Sequence, residues 1–223
     1  IADFCDTCAH FGIGTLCAMD GTDDSERDVL VELMAFLAQR FALDVRLFPQ
    51  YMDEKKLARV LPRMQRKRIG GSQSAAFDRP YENGIQAPTY FTDEFIDSKI
   101  ADLVSRGFAV SAHAIGETAI RQLTSAFEKA DRQLERTSDD AMPNCMRYRI
   151  DHCEFPAPDT LERIYELKPS VTIQPGYSWM DKRFMRSYER MLDKDMINQQ
   201  IPLRDFADAG VVLCGSSDAP VQT

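Results

Sequence analysis

Apolar and polar positions alternate along the chain in two recurring textures. Short continuous apolar runs end at polar residues, and between them lie longer stretches with apolar residues at helical spacing. Residues 12–19 read as a buried strand closed by Asp20 and Gly21. Residues 25–41 follow as a helix, with Ser25 as N-cap and Val29, Leu30, Leu33, Phe36 and Leu37 on one face. Residues 43–51 read as a strand stopped by Pro49, and 54–65 as a helix that Pro62 breaks or kinks. Residues 66–74 form a short strand running into a Gly/Ser loop, and 73–92 a long polar connection.

The second half repeats the pattern more sharply. Thr92 caps a helix that ends at Gly107. A strand over 108–114 precedes an amphipathic helix over 117–136, with Ile120, Leu123, Phe127 and Ala130 on one side. Strand 147–153, helix 157–168, strand 170–175, a partly helical stretch 176–201, helix 202–210 and strand 211–220 complete the chain. Strands apolar on both faces belong to parallel sheets covered by helices. An open doubly wound sheet and a (β/α)8 barrel both fit. No G-x-G-x-x-G follows the first strand, so the dinucleotide fingerprint is missing. Polar residues instead mark the C-terminal strand ends: Asp20, His113, His152, Gln174 and Asp218. In a TIM-type barrel those ends share one mouth. The expectation is therefore an α/β chain forming one domain over 1–223, an incomplete barrel with strands two to eight present.

Composition narrows the partners. A formal net charge of -8 argues against a nucleic-acid partner. No apolar run is long enough to span a bilayer, so no membrane partner is expected. Cys17, Cys153 and Cys214 sit in strand-like runs as small hydrophobes, and Cys5 and Cys8 form a C-x-x-C with no second pair to complete a zinc site. The expected setting is reducing and cytoplasmic. No secretory signal is visible, and a start at Ile1 is expected of a piece from a longer protein. An incomplete barrel would expose sheet edges that favour a homo-oligomer.

His113, His152 and Asp218 each stand one turn signal before a strand gives way, in "HAIG", "HCEFP" and "SDAP". Two imidazoles and a carboxylate at one mouth suit a divalent transition metal, zinc above all. A packed histidine, or an Asp–His pair doing acid–base work without metal, would leave the same trace.

Four motifs in order, "VSAHAIGETAI", "RYRIDHCEFP", "VTIQPGY" and "LCGSSDAPV", resemble the core of the metal-dependent amidohydrolase superfamily. The chain is most similar to amidohydrolase family 3, in its N-substituted-formamide deformylase-like branch. "GIGTLCAMDG" resembles the family's second strand and "GGSQSAAF" its Gly/Ser loop. The resemblance implies a (β/α)8 barrel with one or two divalent metal ions, usually zinc. It implies His113 and His152 as metal ligands of strands five and six, and Asp218 as the strand-eight ligand and proton carrier. The implied reaction is metal-dependent hydrolysis of an amide or related C–N bond in a small molecule.

This sequence departs from the family pattern in several places. The strand-one H-x-H pair and the flanking β-sandwich are absent, Arg66 and Lys67 stand near the position where a lysine often sits, and Glu117 and Asp151 exchange Asp and Glu. The missing pair motivates an alternative, a non-catalytic or regulatory relative without a working metal site. Glu117 either complements a helix dipole or orients an imidazole. Gln174 either faces substrate or satisfies backbone beside Pro175. Tyr177 and Trp179, with Phe184, Arg183 and Arg186, form either a rim helix or a wall over the substrate. His10 has no partner motif and reads as structural or exposed.

Overall fold

The computed structural model describes Thr7, His10, residues 15–21, 44–50, 75–135, 142–177 and 182–216, and Asp218. The chain divides into two compact units, Ile1–Lys67 and Arg68–Thr223. In the first, β1 (Thr15–Gly21) and β2 (Asp44–Gln50) pair in parallel, from Thr15 opposite Asp44 to Gly21 opposite Gln50. Pro49 does not stop β2 but lies within it, opposite Asp20. A ladder uses only alternate N–H groups of a strand, so a proline near its end is tolerated. The helices expected over 25–41 and 54–65, and the strand over 66–74, lie outside the described residues.

The second unit is a four-stranded parallel sheet in the order β3 (Val110–Ala114), β4 (Tyr148–His152), β5 (Ser170–Ile173), β6 (Val212–Gly215). Before it, α1 (Asp93–Ser105) starts at Thr92, whose side chain accepts the Phe95 N–H at 3.3 Å, and stops at Gly107 in the left-handed region. The β3–β4 crossover holds α2 (Glu117–Glu135) and α3 (Asn144–Arg147), a turn that the sequence pattern does not announce. Helix α4 (Pro158–Leu167) joins β4 to β5. The β5–β6 connection holds a 3-10 turn at Pro175–Tyr177, α5 (Lys182–Met191), α6 (Lys194–Asn198) and α7 (Leu203–Asp208).

The main core lies between the sheet and these helices. Ile120, Leu123, Phe127 and Ala130 of α2 are all buried, as their spacing predicts, against Ile150, Val171, Ile164 and Phe206. Burying a side chain the size of Phe127 contributes roughly 1.5–3 kcal/mol. Arg163 of α4 grips Glu128 of α2 with two hydrogen bonds of 2.8 Å, fixing one helix to the other. A second cluster of Phe77, Tyr81, Phe155, Leu192 and Met196 packs with edge-on aromatic rings. Its members come from the loop before α1, the loop after β4 and the segment from α5 to α6.

Two expectations fail on β6. Cys214 is exposed rather than packed as a small hydrophobe, and Val212 is exposed with it. Both occupy the same face of the strand, since side chains alternate, so β6 is not covered on both sides. No described helix is long and apolar enough to cross a membrane.

Candidate functional site

The site grows from register. Parallel pairing sets Ser111 opposite Arg149, His113 opposite Asp151, and Ala114 opposite His152. Alternation then puts Ser111, His113, Arg149 and Asp151 on one face. Contacts agree. Ser111 Oγ donates to Asp151 Oδ2, Arg149 Nε donates to Ser111 Oγ at 2.8 Å, and the same Nε lies 3.0 Å from Asp151 Oδ1. Strict alternation would send His152 to the opposite face with Tyr148 and Ile150. Instead His152 and Cys153 take left-handed backbone, φ 75° and 49°. That break re-aims the imidazole, and its ring centroid stands 4.3 Å from that of His113, tilted by 68°.

The two histidines differ in surroundings. His152 is buried. His113 is exposed as a residue, yet protein crowds its ring closely. Loss of hydration, with the neighbouring His152 second, pushes its pKa down to about 4 against the opposing pull of Asp218 and Asp151.

Asp218, also left-handed at φ 54°, follows β6. Its Oδ2 lies 4.0 Å from His152 Nε2 and accepts the Tyr177 O–H at 2.9 Å. Tyr177 is buried, and its ring centroid is 6.0 Å from that of His152. Burial, then the Asp218 carboxylate, raises the Tyr177 pKa, so the phenol stays a donor. Side chains from β3, β4, the turn after β5 and the end of β6 thus meet at the C-terminal edge of the sheet.

The other expected residues divide. Gln174 is buried and its Oε1 has no hydrogen-bond partner, so that oxygen satisfies no backbone group beside Pro175. Glu117 is buried, and its Oε1 accepts the Asp78 N–H at 3.0 Å, tying the preceding loop to the start of α2. Trp179, Arg66 and Lys67, and the side chains of Arg183 and Phe184, lie outside the described residues. His10 is helical and exposed. Two residues escaped notice in the sequence: Glu154, which faces His152, and Tyr188 of α5, which donates to Glu154 at 2.9 Å. Their one sequence signal is a carboxylate two places after a strand-end histidine.

The amidohydrolase family model matches residues 7–223. The chain belongs to the amidohydrolase family. This amidohydrolase chain is similar to the amidohydrolase-named YtcJ of Bacillus subtilis (strain 168), 25% identical over 157 residues, 68% of the chain and 27% of YtcJ. It is also similar to the exoenzymes regulatory protein AepA of Pectobacterium carotovorum subsp. carotovorum, 24% identical over 143 residues, 63% of the chain and 28% of AepA. The fold is similar to part of a metal-dependent hydrolase from Pyrococcus furiosus, with a TM-score of 0.70 at 19% identity, covering 98% of the chain and 45% of that structure. A metal-dependent hydrolase from Pyrococcus horikoshii OT3 matches with a TM-score of 0.67 at 18% identity, covering 98% and 44%. The amidohydrolase chain therefore aligns with a little over a quarter of each curated relative and with less than half of each solved structure.

Two imidazole nitrogens and a carboxylate oxygen are the donor types a divalent transition metal prefers. In the amidohydrolase chain His113 and His152 come from neighbouring strands and Asp218 from the segment after β6, at one sheet edge. Among the described residues no three His, Cys, Asp or Glu side chains stand close enough to hold an ion by themselves. The donor types suit a divalent metal.

Proposed function

We propose that this chain carries the proton-handling half of a metal-dependent hydrolase that cleaves an amide or related C–N bond of a small molecule. The observation that carries the reading is the meeting of His113, His152 and Asp218 at the C-terminal edge of a parallel sheet, with Tyr177 holding Asp218. Sheet order, crossovers and family support an incomplete (β/α)8 barrel in which β3 to β6 are strands five to eight. His113, His152 and Asp218 would hold the metal, zinc by donor type, as one ion or two. A bound metal would polarise the carbonyl and make water a stronger acid.

The chain's own residues then manage position and protons. The Asp218 carboxylate takes a proton from the attacking water as the C–O bond forms. It returns that proton to the nitrogen as the C–N bond breaks. Tyr177 O–H stabilises the charged carboxylate before the first transfer and orients it for the second. The formamide branch of the family is the substrate class we favour first, on the strength of the motif resemblance.

The test uses the full-length protein from which this chain comes. Purified with zinc, it should hold near-stoichiometric metal and hydrolyse N-formyl or N-acyl amines, and Asp218→Ala should abolish that turnover. Metal content near zero, or full activity without Asp218, overturns the reading. A second reading, a regulatory relative without catalysis, draws on the likeness to AepA. No bound metal together with no hydrolysis of any amide would favour it.

A further inference from the structure

A buried carboxylate needs donors, because an isolated charge in the interior is costly. Glu154 is 1% exposed, and no lysine or arginine among the described residues pairs with it. Its Oε2 accepts the Tyr188 O–H at 2.9 Å. Its Oε1 faces His152 Nδ1 at 3.5 Å, a buried nitrogen that makes no hydrogen bond at that separation. The other ring nitrogen, Nε2, faces Asp218 Oδ2. Both ring nitrogens thus face a carboxylate, but Asp218 is open to water whereas Glu154 is buried, so the ring proton is needed most on Nδ1. With the proton on Nε2, the Nδ1 lone pair would point at a buried carboxylate. With the proton on Nδ1, the ring presents a donor to Oε1, and the buried nitrogen gains a partner.

The backbone holds Glu154 there against its own preference. Left-handed turns at His152 and Cys153 fold the chain back. Cys153 N–H donates to Ala114 O at 2.9 Å and Phe155 N–H to Ile115 O at 3.0 Å, locking the turn to the end of β3. Ile201 N–H donates to Glu154 O at 2.6 Å, and Ile201 is itself left-handed at φ 43°, a conformation its branched side chain disfavours. Such strain persists where the surroundings over-determine it, and it gathers at functional sites. Tyr188 is fixed in turn by the edge of Phe155, with centroids 5.5 Å apart.

We propose that Glu154, held by Tyr188, is the positioning residue of His152: its carboxylate accepts the Nδ1–H and leaves the Nε2 lone pair facing Asp218. The inference rests on the reading of His152 as a donor of the site. It gives α5 a reach into that site, since its Tyr188 sets the carboxylate that sets the imidazole.

The test reads the tautomer rather than turnover. The full chain, labelled with nitrogen-15 and freed of metal by chelation, is examined by long-range proton–nitrogen NMR above the histidine titration range. Its three histidines are separable by single substitution. His152 should show a protonated Nδ1 and a bare Nε2. Glu154→Gln keeps the shape but removes the charge that doubles hydrogen-bond strength, so the ratio of Nδ1–H to Nε2–H should fall on the order of tenfold. Tyr188→Phe should lower it less, and His10 should not change. Zinc affinity, measured by titration, should drop about 10- to 100-fold in Glu154→Gln.

An Nε2–H form in the unaltered protein, or an unchanged ratio in folded Glu154→Gln, overturns the proposal. If Glu154→Gln does not fold, Tyr188→Phe decides by the same ratio. Failure of the hydrolase reading looks different: the tautomer shifts as expected while the full-length protein binds no zinc. Zinc binding and hydrolysis with an unmoved tautomer would sink the positioning role alone.

Discussion

Gly116→Ala should weaken this protein more than a single methyl group suggests. A Cβ at Gly116 would lie 2.2 Å from Ala76 O, 2.8 Å from Ala76 C and 3.1 Å from Ala76 N. Ordinary contacts need the segment around Ala76 to withdraw by about 1 Å. That segment is docked by Thr118 N–H to Ala76 O at 3.2 Å and by Asp78 N–H to the Glu117 carboxylate at 3.0 Å. The first bond is worth about 0.5–1.5 kcal/mol net and the second, to a charged group, about 1.5–3 kcal/mol. Losing the first and stretching the second gives an expected cost of about 2–4 kcal/mol. At roughly 2–4 °C per kcal/mol for a chain of this size, Tm should fall by about 4–16 °C. Denaturant unfolding should show a lower midpoint at unchanged slope. Glu117→Ala undoes the same docking, so the double variant should cost less than the sum of the two. A change under about 0.5 kcal/mol, or full additivity, would refute the argument that the loop is held by this approach.

Three further outcomes are expected. Arg149→Met strands the Asp151 carboxylate, which is nearly buried, and should cost about 3–5 kcal/mol by chemical denaturation, with much of it recovered in Arg149→Met/Asp151→Leu. In metal-free protein, the folded His113 pKa of about 4 lies below the ordinary 6.5. Between those values the unfolded chain holds a proton that the folded chain does not, so stability should fall as pH drops from 6.5 toward 4. His113→Asn should flatten that part of the slope, and a pH series of unfolding midpoints that is unchanged in the variant would show that the histidine is not responsible. Alkylation near pH 8, followed by mass spectrometry, should modify exposed Cys214 and spare Cys153, which is buried and whose pKa burial raises. Modification of Cys153 as fast as Cys214 without unfolding would contradict the packing.

What the sequence determined by itself is local. The face Ile120, Leu123, Phe127 and Ala130, the Thr92 cap and the Gly107 stop are written in residues within a turn or two of each other. Helical spacing and backbone freedom act over that range. The strand-end positions of His113 and His152 were legible for the same reason, each following an apolar run and preceding a turn signal, whereas β6 stops at Gly215, before Asp218. Tertiary structure alone decided the rest. Ser111 reaches Asp151 across 40 positions, and Tyr188 reaches Glu154 across 34. Those pairs depend on the register of β3 against β4 and on where α5 lands. Exposure of Cys214 and Val212 likewise depends on what covers a strand, which an apolar run does not say. The turn of His152 toward His113 comes from two left-handed residues that no local pattern demands. Neighbouring strands hold them there, and without that hold the alternation of the strand would have pointed the imidazole away from its partner.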